Sequence, residues 1–193
     1  TLRQQVLSEN PESVLEICRE PGQVTLLVAS ILEDMGQGGL TTFQPRDWDG
    51  ADHFASAIRE LEIAHRVSPI LYDRSYSWAI GRLLSAPDRP VFDICILNGN
   101  KSWDSTGFGL LLCDMLLRPG GLLVLTDMAW SMAGSKHFQR NPALIDRHES
   151  DEFRAKPVQF ASDLILPHLG YDSTDITHGS EIAYIRKGPS RGA

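Results

Sequence analysis

Residues able to do chemistry gather in this chain where apolar runs stop. The run Val14-Leu15-Glu16-Ile17 breaks at Cys18-Arg19-Glu20-Pro21-Gly22, and Val24 to Leu32 follows at once with the character of a buried helix. Strand, tight turn and helix is the geometry by which open α/β sheets hold a phosphate or a nucleoside, with backbone N–H groups at the helix start facing the ligand. Other apolar runs stop at Gln44, at Asp73-Arg74-Ser75, at Asn98-Gly99-Asn100-Lys101 and at Asp127. Ligands of such sheets bind outside the carboxyl ends of the strands, so Asn98, Lys101, Asp127, Trp130 and His137 are expected near one crevice.

The elements that would position these residues alternate along the chain. Strand-like runs are Val14 to Cys18, Leu40 to Gln44, Val67 to Tyr72, Phe92 to Leu97 and Leu122 to Thr126, short and mostly apolar on both faces, as in a parallel sheet covered on both sides. Helix-length segments lie between them: Val24 to Met35, Asp52 to His65, Tyr76 to Ser85 and Ser105 to Leu117. In the second of these Phe54, Ala57, Ile58, Leu61 and Ala64 recur at three and four, which marks an amphipathic crossover helix. Right-handed crossovers then build a doubly wound sheet.

The last third changes rhythm. Met128 to Glu152 is polar and poorly periodic, and it holds Trp130, His137, Arg140, Arg147 and His148. A loop of that length in a compact domain is usually functional or disordered. A helix starting at Phe153 or Val158 is expected to reach Leu166, with Pro167 helping to stop it. Alternating runs Ser173 to Thr177 and Glu181 to Arg186, joined by His178-Gly179-Ser180, signal an antiparallel hairpin at one sheet edge. The expected architecture is α/β: a doubly wound, mostly parallel, seven-stranded Rossmann-like sheet with a C-terminal antiparallel hairpin, in one domain over residues 1–193.

Composition narrows the function classes. At 193 residues the chain can bury a full core. Its net charge is −7 with acidic and basic residues interleaved and no basic stripe, which argues against nucleic acid as a partner. Cys18, Cys95 and Cys113 each sit in an apolar stretch without metal-ligand spacing and read as buried free thiols in a reducing, cytoplasmic setting. No apolar run approaches the roughly 20 residues of a membrane span. Thr1 to Gln5 carries no signal-peptide core and reads as already inside a helix, as if residues had been trimmed upstream.

With five β/α units, a terminal hairpin and the phrase RPGGLLVLTD at Arg118 to Asp127, the chain resembles the class I S-adenosylmethionine-dependent methyltransferases. Within them it is most similar to the small-molecule O-methyltransferase-like group, of methyltransferase-24 type, whose Asp-Gly-x-His motif after the fourth strand stands here within Phe92 to Trp103. The resemblance covers roughly Ser13 to Lys187. It implies S-adenosyl-L-methionine as cofactor and a small hydroxylated metabolite as methyl acceptor.

Carried over residue by residue, the resemblance is uneven. The glycine-rich first turn maps onto Glu16 to Gly22, so its first two glycines have become Cys18 and Glu20, and Gly22 remains. A glycine there spares a Cβ that would block the cofactor or demand a disfavoured φ. A Glu20 carboxylate aimed inward would repel the methionyl carboxylate, whereas aimed outward it is a favourable charge at a helix start, with Pro21 in the first turn. Gln44 stands where an acidic residue commonly accepts the ribose hydroxyls, and Asp47 or Asp49 could substitute or lie in a solvated loop. Asp73, with Arg74 and Ser75, matches the adenine side, while a capping role for Asp73 is the plainer alternative. Trp78 could flank the adenine, although a core position is the commoner fate of such an aromatic.

At the catalytic edge Asn98 and Lys101 replace the family's Asp and His, and Asp127 alone stays in register, so no bound metal is expected. His137, or a Lys101 whose pKa burial lowers, is the candidate base, with a solvated loop as the alternative for His137. Two functions stay open: a methyltransferase with Met128 to Glu152 as substrate lid, and a methyltransferase-fold pseudoenzyme or binding module that has lost the cofactor. A third is an enzyme of the same fold using another nucleotide. A homo-oligomer or a partner protein supplying groups is compatible with either.

Overall fold

Apolar residues alternate between two cores on opposite faces of one sheet, and that alternation sets the architecture. The computed structural model describes residues 1–171, 176–178 and 181–188. Its strands are β1 (Ser13–Cys18), β2 (Gly39–Pro45), β3 (Val67–Tyr72), β4 (Phe92–Asn98), β5 (Leu117–Thr126), β6 (Ile176–His178) and β7 (Ile182–Arg186). They form a seven-stranded sheet in the order β3-β2-β1-β4-β5-β7-β6. β3, β2, β1, β4 and β5 run parallel, and the hairpin strand β7 adds antiparallel to β5, as the sequence predicts. Residues 172–175 and 179–180, within the expected hairpin, lie outside the described residues.

The helices are α1 (Leu2–Glu9), α2 (Gln23–Met35), α3 (Ala51–Glu60), α4 (Tyr76–Leu84), α5 (Trp103–Leu116), α6 (Lys136–Gln139), α7 (Pro142–Ile145), α8 (Ser150–Arg154) and α9 (Pro157–Ile165). Leu15 and Ile17 of β1, Cys95 and Leu97 of β4, and Leu123 and Leu125 of β5 pack with α4, α5 and α9. Their neighbours Val14, Ile94, Ile96, Leu122 and Val124 pack with α1, α2 and Phe54 of α3. Burial on both faces accounts for the unbroken apolar runs. Among the described residues no helix is long and apolar enough to cross a membrane.

Several boundaries differ from the sequence expectation. α3 ends at Glu60 because Glu62 takes a left-handed φ of 57° and the N–H of Ile63 returns to the carbonyl of Ile58, a Schellman-type stop without glycine. The reversal buries Ile63 and leaves Leu61 exposed, so the predicted apolar stripe loses its last turn. Trp78, expected in the core, is 73% exposed on α4. The segment Met128 to Glu152 is partly helical, with α6 and α7 inside it and α8 beginning at Ser150. β5 starts five residues before the predicted Leu122, at Leu117. Its Pro-Gly-Gly has a steric reason: Gly120 has φ 71°, and a Cβ on Gly121 would lie 2.9 Å from the backbone oxygens of both Asp93 and Arg118.

Candidate functional site

Strand order reverses between β1 and β4, which places the sheet's switch point at the first turn, Cys18 to Gly22. A chain of polar side chains crosses the carboxyl edge there. Glu16 is fully buried, and its carboxylate accepts from the Thr25 hydroxyl at 2.6 Å, from Thr42 at 3.3 Å and from the Asn98 amide at 3.0 Å. Asn98 Oδ1 in turn accepts from Thr126 Oγ1 at 2.9 Å. Beyond it Asp127 Oδ2 lies 3.2 Å from Thr126 Oγ1 and 3.2 Å from Lys101 Nζ. Asp127 holds this position with φ 58°, a left-handed conformation that carboxylate and amide side chains tolerate best. Burial pushes the Glu16 carboxyl above its ordinary range, against the three hydrogen bonds that favour its charge.

This network changes the role of two expected cofactor residues. Both oxygens of Glu16 and both polar atoms of Asn98 are taken up in joining β1, β2, β4 and β5. Asn98 still lines the cleft, whereas Glu16 lies wholly beneath the surface. Cys18, expected at the lip, is buried with its sulfur turned to β2, 3.2 Å from Thr42 Oγ1 and 3.5 Å from the carbonyl of Phe43. Burial first, then the neighbouring Glu16 charge, drives its thiol up to about 12. It is therefore an unreactive structural thiol. Gly22 has φ −162°, and a Cβ there would meet nothing within 4 Å, so in the protein alone neither backbone nor packing demands glycine. Gly22 is also the N-cap of α2, which leaves Pro21 just before the helix.

Two hollows flank the turn, and Arg19 and Glu20 line both. Glu20 is partly exposed and lies 3.5 Å from Arg19, so its charge is paired at the rim. The first hollow, of about 410 Å³, is lined by Pro45, Asp47, Trp48, Asp49 and Tyr72. Gln44 ends one residue short of that wall, and the acidic groups that reach it are Asp47 and Asp49. The buried indole N–H of Trp48 has no hydrogen-bond partner among the described residues. The tripeptide Asp47-Trp48-Asp49 after the second strand is the signal that could have found this wall.

The expected adenine-side residues lie near but otherwise occupied. Asp73 is ion-paired with Arg46 at 2.9 Å, and the cap of α4 is Ser75, whose hydroxyl accepts from the N–H of Trp78 at 3.2 Å. The capping role considered as the alternative for Asp73 thus falls to Ser75. Arg74 is exposed.

The second hollow, of about 460 Å³, is lined by Asn98, Lys101, Trp130, Met132, Phe138 and His148, among others. Lys101 also lies 6.0 Å from the Trp130 ring centre. His137, the candidate base by sequence, is exposed on α6 and outside this wall, and the imidazole that reaches it is His148 of the same segment. His148 Nδ1 sits 3.1 Å from Glu152 Oε1. Among the described residues no group of three or more His, Cys, Asp or Glu side chains is placed to hold a metal ion.

No protein-family model matches the sequence, and no curated protein matches it significantly. Solved structures do match. An O-methyltransferase from Bacillus cereus in complex with SAH superposes with a TM-score of 0.65 at 19% identity, covering 96% of this chain and 79% of that one. The O-methyltransferase TomG from Streptomyces achromogenes, involved in tomaymycin synthesis and in complex with SAM, gives 0.62 at 19% identity, covering 97% and 78%. An SAH-bound methyltransferase from Podospora anserina gives 0.62 at 16%, covering 96% and 76%. Strand order, terminal hairpin and these superpositions agree that the chain has the class I S-adenosylmethionine-dependent O-methyltransferase-like fold.

Proposed function

We infer that the chain is an S-adenosylmethionine-dependent methyltransferase acting on a small hydroxylated metabolite. One observation carries this reading: the first hollow is lined by two acidic residues, Asp47 and Asp49, at the switch point of a sheet with this fold. Two carboxylates beside one hollow suit the hydroxyls of a ribose diol, which donate to them in charge-assisted hydrogen bonds. Hollows of about 410 and 460 Å³ fall in the range of small-molecule sites. Because Arg19 and Glu20 line both, a ligand spanning the two passes over that ion pair.

Bound there, the cofactor supplies a methyl group already activated by a sulfonium. The protein's remaining tasks are to orient the acceptor and to take its proton. Lys101, paired with Asp127, holds a positive charge beside the second hollow. His148 is suited to the proton: a neutral imidazole donating Nδ1–H to Glu152 keeps its Nε2 lone pair free. The free, buried state of Cys18, Cys95 and Cys113 supports a reducing, cytoplasmic setting.

Calorimetric titration of the purified protein with S-adenosylmethionine and S-adenosylhomocysteine tests the reading. Micromolar affinity is expected, weakened about tenfold in Asp47→Asn/Asp49→Asn, a change of about 1.4 kcal/mol. Absent or millimolar binding overturns it.

A further inference from the structure

A third hollow, of about 470 Å³, opens beside the second and shares Met132 with it. Its apolar wall includes Trp103 at the start of α5 and Phe160 on α9, with ring centres 5.2 Å apart and tilted by 49°. Both rings are markedly exposed, at 42% and 51%, which is unusual for an aromatic pair from two packed helices. Every charged residue lining this hollow is acidic: Glu149, Asp151 and Glu152. Glu152 is also the partner of His148, so one hydrogen-bonded pair joins the acidic wall here to the imidazole of the second hollow.

These carboxylates cap α8 and Glu152 also meets His148, yet their negative charge remains on the wall: a neutral apolar ligand would not use it, and an anionic one would be repelled by it. An ammonium group is attracted both by the carboxylates and by the faces of the aromatic rings. We propose that this hollow is the acceptor's recognition site, and that the acceptor is a hydroxylated arylalkylamine or a similar small amine. Its ring lies against Trp103 and Phe160, and its ammonium lies among Glu149, Asp151 and Glu152. Met132 and the His148–Glu152 pair form the passage by which the hydroxyl end reaches the second hollow. The amine's role as methyl acceptor rests on the methyltransferase reading, whereas its binding does not.

Equilibrium binding without cofactor tests the proposal, followed by tryptophan fluorescence and calorimetry. The probes are tyramine, phenethylamine and tryptamine, set against the neutral 4-ethylphenol and the anionic 4-hydroxyphenylacetate. At least one amine is expected to bind tenfold or more tighter than both controls. Glu149→Gln/Asp151→Asn should bring that preference to within about twofold, and Phe160→Ala should weaken amine binding severalfold. Equal or inverted preference overturns the proposal, as does the absence of amine binding at millimolar concentration. So does a dimer, seen by sedimentation, that Phe160→Ala dissociates, since a second copy would then own this face. A titration with S-adenosylmethionine on the same samples separates the two readings. Cofactor binding without amine binding defeats this proposal alone, and amine binding without cofactor binding defeats the methyltransferase reading alone.

Discussion

Glu16 is a carboxylate placed where an apolar residue would otherwise sit, on the α2 face of the sheet beside Val14, with Thr25, Thr42 and Asn98 satisfying its oxygens. Burial raises its pKa above the ordinary 4.5. The folded chain therefore keeps this proton to higher pH than the unfolded chain does. Its contribution to stability is most favourable below 4.5 and declines as pH rises through the folded value. Glu16→Gln removes that titration. The stability of the native protein minus that of the variant should fall steadily as pH rises from 4.5, measured by urea unfolding at several pH values, and a flat difference would refute the coupling. The sequence shows an acidic residue in an apolar strand and suggests a ligand contact. Its partners lie 9, 26 and 82 residues away, so only the strand register reveals that the carboxylate is already satisfied. The same applies to Asn98, whereas Asp47 and Asp49 could be read locally because they simply follow a strand end.

Among the elements, α5 is the one whose position the site depends on most, since it starts at Trp103 just after the Asn98-to-Lys101 edge and packs on β4 and α9. Two glycines let it come close. A Cβ on Gly109 would lie 2.7 and 3.1 Å from the two methyl groups of buried Leu97, and one on Gly107 would lie 2.9 Å from the single terminal methyl of Ile165. Alanine gains about 1 kcal/mol over glycine in a helix interior. Overpacking a rigid neighbour costs about 1 to 3 kcal/mol. Gly109→Ala should therefore lose about 1 kcal/mol, and Gly107→Ala should be neutral or gain up to about 1 kcal/mol because a chain-end methyl can swing aside. Urea midpoints decide it, and the reverse order would contradict this account of the packing. The central strands β1, β4 and β5 were legible because burial on both faces leaves short apolar runs bounded by turn residues, whereas in the edge strand β3 only Val67 and Tyr72 are buried. α6, α7 and α8 were not, since helices of four or five residues carry too little periodicity to read. The stop of α3 was hidden because Glu62, and not a glycine, takes the left-handed turn.

For the molecule as a whole, the two edges of the sheet divide the work. The carboxyl edge carries the hollows, the paired Lys101 and the left-handed Asp127. The opposite edge is tied by ion pairs: Asp93 to Arg118 at 2.6 Å, Glu9 to Arg186 at 2.5 Å and Asp114 to Lys187 at 3.0 Å. Asp93 is the centre of that edge, accepting also from the backbone N–H groups of Glu12 and Ser13 and thereby joining β1, β4 and β5. Burial pushes its carboxyl up, but the Ser13 N–H, the Arg118 guanidinium and the Glu12 N–H together outweigh that and hold it below the ordinary 3.8. Its stabilising contribution is thus present above 3.8 and is lost as pH falls through the lower folded value. Asp93→Asn should cost about 2 kcal/mol at neutral pH, because an amide offers these donors no charge and turns an NH2 donor toward one side of the cluster in place of an accepting oxygen. The gap to the native protein should close as pH is taken below 3.8. If stability and binding are built on opposite edges, the same variant should bind S-adenosylmethionine within about twofold of the native protein under conditions where both are folded. A variant as stable as the native chain, or one whose cofactor affinity collapses while it remains folded, would show that the two edges are not independent.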